Sequence, residues 1–271
     1  SQNWIVSTLH DFNTKSTSTI ESELSKFSKQ RKMELILPCL YSELEGTALP
    51  KIVEEISKTK YLDHIIIGLD KANEIQAKKA WKFFKKLKSP FSILWNDGPS
   101  LKKLDQELKK NNLAPSELGK GRNVWYCIGM CIARDSARSV ALHDCDIKTY
   151  DRRMLAKLFY PVVNPLFNFE FCKGYYPRVA NEKMNGRVAR LLVFPLLTAL
   201  EKTIGKSDYL DFMKSFKYPL AGEFSFRRNV LPELRISSDW GIEVGILSEM
   251  QRSFSPQNIC QVDLADTYDH K

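Results

Sequence analysis

Short apolar runs alternate with longer segments of helical periodicity in the first half of the chain. Four runs predict buried strands, at residues 33–37, 64–68, 91–95 and 139–142. Apolar residues at helical spacing predict the helices between them, at residues 45–58, 73–88, 101–111 and 122–137. Strands that alternate with helices of this length indicate a mainly parallel α/β sheet, and strands that are apolar throughout indicate helices on both of its faces.

The pattern changes after Asp151. Phe167, Phe169 and Phe171 alternate with polar residues, and an extended pattern continues over residues 173–179, which predicts antiparallel strands with one buried face. Five further elements follow: a long apolar helix at 187–202, segments at 209–216 and 224–228, a helix at 242–252 and a strand at 259–264. Near the start of the chain, residues 18–30 predict an amphipathic helix on the edge of the sheet.

The charge and the cysteine content bear on binding partners and on the cellular compartment of the protein. The net charge of +9 is concentrated on one predicted helix, where it is typical of a solvated face, so no nucleic-acid partner is expected. The lysines of that helix are Lys78, Lys79, Lys82, Lys85, Lys86 and Lys88. Six cysteines without a Cys-x-x-Cys pair favour reduced thiols in the cytoplasm, and no apolar run approaches the ~20 residues of a membrane span.

The first candidate for chemistry is a pair of carboxylates, Asp144 and Asp146, directly after the predicted strand 139–142. Ligands of α/β sheets bind at the carboxyl ends of the strands. Mg²⁺ is usually bound by one or two carboxylates together with phosphate oxygens. Such a pair also occurs simply as capping or solvated residues of a turn, so its interpretation depends on the other polar segments.

Three other segments support a ligand site. Residues 38–43 follow the first strand of the α/β pattern, where a nucleotide would lie. Lys120 stands between two glycines at the start of a predicted helix, where backbone N–H groups and a lysine could face phosphate. Far downstream, His270 could complete a metal shell through its neutral imidazole. Together with Asp144 and Asp146, these segments predict a nucleotide-sugar site.

Several motifs resemble those of the glucosyl-3-phosphoglycerate synthases, which are retaining enzymes of glycosyltransferase family 81 with a glycosyltransferase-A fold. The resemblance extends from about residue 35 to residue 271. Its most specific stretches are Gly186-Arg187-Val188, Tyr218-Pro219-Leu220-Ala221-Gly222-Glu223-Phe224, Gly241-Ile242-Glu243-Val244-Gly245 and Gln261-Val262-Asp263-Leu264, the last leading to His270. The resemblance implies a nucleotide-sugar-binding half at 31–150 and an acceptor-binding half at 151–271, after a helical extension at 1–30.

The resemblance also implies roles for individual residues. Nucleotide-sugar binding would involve Pro38, Cys39, Leu40, Glu43, Lys120, Asp144, Gly222 and Glu243. The metal, Mg²⁺ or Mn²⁺, would be bound by Asp146 and His270, with Asp144 beside them. The acceptor would contact Gly186, Arg187 and Ala189, because the planar guanidinium group pairs well with phosphate or carboxylate. Lys120 and Glu243 would serve catalysis, through charge stabilisation and through orientation of the sugar hydroxyls.

The activity that the resemblance implies is transfer of glucose from UDP-, GDP- or ADP-glucose to 3-phosphoglycerate, in a cytoplasmic homodimer of the glucosylglycerate compatible-solute pathway. No carboxylate of these motifs is clearly placed as a nucleophile, so substitution on the front face with retention is expected. A mannosyl-3-phosphoglycerate synthase, or a glycosyltransferase with another small acceptor, is the nearest alternative. More distant alternatives are a sugar nucleotidyltransferase and a basic nucleic-acid-binding protein.

Three positions depart from the family pattern. Tyr41-Ser42-Glu43 replaces Asn-Glu-Glu, so one acidic contact to uridine is lost or moved to Glu43, and the donor base stays open. Ala189 replaces a threonine whose hydroxyl would help to bind the acceptor, and Trp240 replaces a tyrosine.

Overall fold

A mixed sheet covered by helices forms the centre of the molecule. The computed structural model describes residues 5–12, 15–115, 117–177, 179–180, 183–184, 186–238 and 241–269. The strands within these residues are β1 Ser7–Leu9, β2 Met33–Leu40, β3 Leu62–Asp70, β4 Phe91–Trp95, β5 Ser139–Leu142, β6 Phe171–Tyr175, β7 Val179–Ala180, β8 Lys183–Met184, β9 Phe224–Arg227 and β10 Ile259–Asp263.

Nine α-helices lie within the described residues: α1 Thr17–Phe27, α2 Ala48–Ser57, α3 Glu74–Phe84, α4 Pro99–Lys110, α5 Lys120–Arg134, α6 Arg152–Val163, α7 Phe194–Ile204, α8 Asp208–Lys214 and α9 Ile242–Ser253. A 3₁₀-helix, Tyr41–Glu45, follows β2, and a π-helical turn, Ala189–Val193, precedes α7. Within the same residues, no helix is long and apolar enough to cross a membrane.

The strands of the main sheet follow the order β1-β10-β6-β9-β5-β2-β3-β4. Within the described part of the chain, β9 runs antiparallel to both of its neighbours, and the other pairs of this sheet are parallel. Successive residues of a strand point to opposite faces of the sheet, and here they enter two separate apolar cores. Helices therefore pack against both faces. The predicted mainly parallel α/β fold with helices on both faces is thus confirmed.

Helix and strand positions in the first half agree with the apolar pattern to within a few residues. The strand predicted at 91–95 is β4, and the strand predicted at 139–142 is β5. One informative difference is in β2, which continues past residue 37 and pairs with β3 as far as Leu40 and Asp70. Its ladder with β5 ends earlier, at Ile36, so Pro38 lies where β2 is paired to β3 alone. A proline is tolerated in such a position.

One expectation for the remaining strands was wrong, and one strand was not predicted. β6 does not have one buried face, because all five of its residues are buried between β9 and β10 in the middle of the sheet. The first residues of the chain also contribute a strand: β1 pairs in parallel with β10, with Ser7 opposite Cys260. Three residues are too short for periodicity to show, which is why the sequence indicated only the helix α1 in this region.

Candidate active site

The candidate site lies at the carboxyl end of β5, beyond the fully buried residues of that strand. Asp144 and Asp146 follow on the loop, and both side chains are partly exposed, whereas Cys145 between them is buried. The alternation arises because successive residues of an extended segment point in opposite directions. Both carboxylates therefore lie at the edge where α/β sheets bind ligands, as the sequence predicted.

Lys120 joins this loop to a second segment of the chain. It is the first residue of α5, and its Nζ lies 2.6 Å from Asp144 Oδ1 and 2.9 Å from Glu243 Oε1. Glu243 lies in the first turn of α9. Gly241, the residue before this helix, has a positive φ of 106°. Three residues predicted for the nucleotide-sugar site, far apart in sequence, are thus in direct contact.

The charge of Lys120 is strongly favoured by its surroundings. Burial opposes the charged form, but the carboxylates of Asp144 and Glu243 outweigh burial and raise the pKa of Lys120 well above its ordinary value. The lysine therefore stays positive throughout the physiological pH range. Because Asp144 and Glu243 balance this charge, an anionic group such as a diphosphate would bind here together with a cation.

At Gly222 the backbone passes so close to Asp144 and Lys120 that a side chain would collide with them. A Cβ at this position would lie 2.4 Å from Asp144 Oδ2 and 3.1 Å from Lys120 Nζ. No side chain fits there without moving the carboxylate or the lysine. The loop before β9 therefore contacts the centre of the site through its backbone, which agrees with the predicted place of Gly222 in the nucleotide-sugar site.

Gly121, which directly follows Lys120, allows close packing against another loop. A Cβ on Gly121 would lie 1.8 Å from the carbonyl oxygen of Ser237, and the next amide, Arg122 N, donates to the carbonyl of Ser238 at 3.2 Å. One backbone N–H near the start of α5 is therefore already used by the 237–238 loop. The lysine side chain, rather than the whole helix start, is the main feature offered to an anion.

His143 supports the loop from inside the protein. Its Nδ1–H donates to the carbonyl oxygen of Asp144 at 2.9 Å, and its Nε2 accepts from the hydroxyl of Tyr150 at 3.1 Å. Burial lowers the pKa of His143 to about 4, so the ring is neutral at pH 7. These two hydrogen bonds fix the peptide that precedes Cys145 and thereby the direction of the two aspartates.

The predicted nucleoside contacts lie at the end of β2. Leu40 is exposed and Pro38 is partly exposed, but Cys39 is buried and its Sγ lies 3.3 Å from the carbonyl oxygen of Leu40. Cys39 could thus meet a ligand only through its backbone. Glu43 is partly exposed on the 3₁₀-helix, and Asp70 ends β3 directly opposite Leu40. Asp70 was not predicted, although an acidic residue closing an apolar run is visible in the sequence.

The donor groups at Asp144 and Asp146 fit a hard divalent cation. Carboxylates are among the ligands that Mg²⁺ and Mn²⁺ prefer, and here two stand on one loop. The described residues contain no group of three or more His, Cys, Asp or Glu side chains arranged for a metal. The third predicted ligand, His270, lies outside the described residues, so its role stays a prediction.

The predicted acceptor residues belong to another segment. Gly186 has a positive φ of 75°, and the exposed Arg187 follows it at the start of the helical segment that leads into α7. Ala189 is 2% exposed, so its methyl group packs inside. Within the described part of the chain, no contact joins Gly186, Arg187 or Ala189 to Lys120. Their role in acceptor binding stays a prediction. Trp240, another position of departure from the family, lies outside the described residues.

A buried polar cluster beneath the site was not predicted. Glu223 accepts hydrogen bonds from the hydroxyls of Tyr176 and Tyr268, each at 2.7 Å. Burial and the charge of Asp144 raise the pKa of Glu223 to about 7, although the two hydroxyls partly offset this. Lys173, which is also buried, donates to the carbonyl oxygen of Ala221, and burial lowers its pKa to about 8.

A cavity of about 470 Å³ lies away from these residues. It opens at the other end of the sheet, near Ser139 where β5 begins, and several arginines line it. Two of them, Arg31 and Arg227, donate to the carbonyl oxygens of Val163 and Val162 at the end of α6. Cations at the C-terminus of a helix are explained by capping, so this cavity is not the candidate active site.

Comparison with known proteins shows which family the chain belongs to. The chain is 44% identical over 270 residues to a glucosyl-3-phosphoglycerate synthase of Persephonella marina, covering 100% of this chain and 67% of that protein. It is 38% identical over 269 residues to the synthase of the same name from Methanococcoides burtonii, covering 98% of this chain and 65% of that protein. The chain belongs to the glucosyl-3-phosphoglycerate synthase family. It spans about two thirds of the length of these relatives.

Solved structures of a glucosyl-3-phosphoglycerate synthase share the fold. The synthase of Mycobacterium tuberculosis in complex with phosphoglyceric acid superposes with a TM-score of 0.69 at 20% identity, over 98% of this chain and 80% of that one. The same enzyme with Mn²⁺, UDP and glucosyl-3-phosphoglycerate gives a TM-score of 0.68 at 20% identity, over the same shares. No family model matches the chain. The family membership predicted from the sequence is confirmed by the two relatives, which match nearly the whole of this chain.

Proposed function

We propose that this protein transfers glucose from UDP-glucose to 3-phosphoglycerate with retention at the anomeric carbon. The observation that supports this most directly is Lys120, held between Asp144 and Glu243 at the carboxyl edge of the sheet. The name of the relatives at 44% and 38% identity supports the reaction. The M. tuberculosis enzyme, whose solved complexes include Mn²⁺ with UDP-glucose and phosphoglyceric acid, supports the choice of substrates.

A divalent cation bound by Asp146 and Asp144, with His270 as the third ligand, would act as a Lewis acid on the departing diphosphate. Lys120 adds a fixed positive charge on the other side of Asp144, where negative charge develops as the sugar leaves. Glu243, which binds Lys120 through one oxygen, can accept a hydrogen bond from a sugar hydroxyl through the other.

The chemical step then needs no carboxylate nucleophile. The bond from the anomeric carbon to the diphosphate breaks, and a bond to the acceptor hydroxyl oxygen forms on the same face. The hydroxyl proton passes to the departing phosphate oxygen. Arg187 is the residue that we assign to the acceptor's phosphate or carboxylate, because a guanidinium group can bind either with two parallel hydrogen bonds.

Incubation of the protein with UDP-glucose, 3-phosphoglycerate and Mg²⁺ or Mn²⁺ tests this function. We expect release of UDP and a product with the mass of a glucosylated phosphoglycerate, and loss of both with EDTA. Parallel reactions with GDP-glucose, ADP-glucose and GDP-mannose determine the base and the sugar. Glycerol 3-phosphate, which lacks the carboxylate, tests the acceptor. Absence of sugar transfer from every donor, in protein that is folded by circular dichroism, would contradict the proposal.

The variant Asp146→Ala tests whether this residue binds the metal. Its side chain is partly exposed on the loop after β5, so we expect an unchanged fold and no turnover. Asp151→Ala is the control, because Asp151 caps α6 through Arg153 N at 2.7 Å and has no role in the proposed site. This control should lose about 1 kcal/mol of unfolding free energy and keep its kcat. Near-normal turnover by Asp146→Ala would refute the metal role.

An exposed apolar face supports a homodimer. The residues on this face, each at least half exposed, are Val188, Leu191, Leu192, Leu196 and Ile204. Such a patch typically marks a protein interface. Light scattering should give the mass of two chains for the wild type and of one chain for Leu191→Glu. The control Leu166→Glu, at another exposed leucine, should remain dimeric, and a monomeric wild type would contradict the proposal.

The six cysteines support the predicted cytoplasmic location. All six lie in the described part of the chain, and all are free and buried. Thiols that remain reduced are typical of a reducing compartment. Fractionation of cells that express the protein, followed by immunoblotting, tests the location; recovery outside the cytoplasmic fraction would contradict it.

A further inference from the structure

Glu223 connects two strand ends that meet beneath the site. Its side chain is 1% exposed, and both carboxylate oxygens are used: Oε2 accepts from Tyr176 and Oε1 from Tyr268, each at 2.7 Å. Tyr176 follows β6 and Tyr268 lies five residues after the end of β10. Their rings stack with centroids 3.5 Å apart and planes 3° from parallel. The carboxylate thus binds two side chains that also support each other.

The segment that carries Tyr268 returns to the loop of the two aspartates. The backbone N–H of Lys148 donates to the carbonyl oxygen of Asp269 at 2.9 Å, and the N–H of Asp269 donates to Thr149 Oγ1 at 3.1 Å. Lys148 stands two residues after Asp146. Residues 264–269, which we call the return segment, are therefore bound to Glu223 by one residue and to the aspartate loop by the next.

The backbone of Glu223 is fixed as firmly as its side chain. Its carbonyl oxygen accepts from Gly174 N at 2.8 Å, and the residue before it is Gly222, which lies against Asp144 and Lys120. A movement of Glu223 would thus disturb Gly222 on one side and the return segment on the other. Retaining a buried carboxylate is costly in free energy, which indicates that the arrangement it maintains is required.

We propose that Glu223 is a positioning residue for metal-dependent binding of the sugar nucleotide: by binding Tyr268 it keeps the return segment against the loop that carries Asp146. This inference rests on the proposed function. Glu223 acts through Tyr268, since its own carboxylate is buried and already accepts two hydrogen bonds. Tyr176 binds the same carboxylate but belongs to β6, so it offers a matched comparison.

Two variants separate positioning from general stability. Tyr268→Phe and Tyr176→Phe each remove one hydroxyl from the same carboxylate and keep the stacked ring. We expect similar falls in melting temperature for both. Calorimetric titration with UDP in the presence of Mn²⁺ should show about tenfold weaker binding for Tyr268→Phe, which corresponds to about 1.4 kcal/mol. Tyr176→Phe should change this affinity by less than about threefold, and titration without metal should not distinguish the two variants.

A third variant tests the connection to Glu223 itself. Glu223→Gln should weaken Mn²⁺-supported UDP binding, and adding Tyr268→Phe to it should cost little further affinity, because both changes break the same contact. If Glu223→Gln does not fold, the two tyrosine variants still decide the matter. Wild-type affinity in Tyr268→Phe, or equal losses in the two tyrosine variants, would overturn the inference. A wild type that binds no UDP with Mn²⁺ would refute the proposed function instead.

Discussion

Replacing Lys120 by methionine removes the charge that joins Asp144 to Glu243 while keeping the length of the side chain. Two charge-assisted hydrogen bonds are lost, at 2.6 and 2.9 Å. Each is ordinarily worth about 1.5–3 kcal/mol. The side chains of Lys120 and Asp144 are both 30% exposed, so water screens part of this energy. We therefore expect the unfolding free energy to fall by about 1–3 kcal/mol in total.

The effect on catalysis should be larger than the effect on stability. In the variant, the departing diphosphate loses a preorganised positive charge, and Asp144 and Glu243 are left without the cation between them. Loss of one such electrostatic contact costs about 3 kcal/mol in the transition state, or about 10²-fold in kcat. Continuous measurement of UDP release at saturating substrates gives kcat, and thermal unfolding of the same preparation gives the stability.

Lys82→Met is the matched control, because Lys82 is exposed on α3, away from the site. It should leave both kcat and the melting temperature close to those of the wild type. A Lys120→Met enzyme with kcat within about twofold of the wild type would refute the assigned role, since about 0.4 kcal/mol is too small for the loss of a charge beside the reacting group. A fall in stability without a fall in kcat would make Lys120 a purely structural residue.

Three other changes follow from the structure. Gly222→Ala should greatly reduce kcat, because its Cβ would lie 2.4 Å from Asp144 Oδ2; Gly129→Ala, whose Cβ meets nothing within 4 Å, should keep full activity, and inactivity of both would contradict this reasoning. Arg187→Ala should raise the acceptor KM by about 10- to 100-fold with little change in donor KM, and lysine should rescue it only partly; equal changes in both KM values would exclude the assignment. Burial lowers the pKa of His143 from 6.5 to about 4, so the unfolded chain binds more protons between these values and stability should fall as the pH drops through them. His143→Gln should flatten this dependence in melting curves, and an unchanged slope would show that other groups cause it.

The strands were predictable because each is a short apolar run between helical segments. Prediction fell short where pairing depends on residues distant in sequence. Pro38 appeared to end β2, yet the strand continues to Leu40 because only β3 pairs with it there. The central place of β6 in the sheet depends on β9 and β10, which come more than 45 residues later, and periodicity within the strand contains no information about them.

The site was predictable in so far as its residues stand in short motifs. Asp144 and Lys120 were identified from a strand exit and a helix start, and the structure brings them into contact. Glu223 stood in a stretch noted for its specificity but received no role. Its partners Tyr176 and Tyr268 are 47 and 45 residues away, and nothing nearby indicates that this glutamate is buried. A carboxylate beside a glycine turn and an apolar strand is the signal that was overlooked.

The pairing of β1 with β10 has a consequence for biosynthesis. The side chains of Thr8 and Gln261 are hydrogen-bonded across a separation of 253 residues. As the chain leaves the ribosome, β2, β3, β4 and β5 can pair with one another early, since all four lie between residues 33 and 142. β1 must wait until β10 emerges, since Thr8 and its partner Gln261 are 253 residues apart. Such long-range closure slows folding and leaves a nascent strand exposed to aggregation, so chaperone dependence during synthesis should be greatest just before β10 is complete.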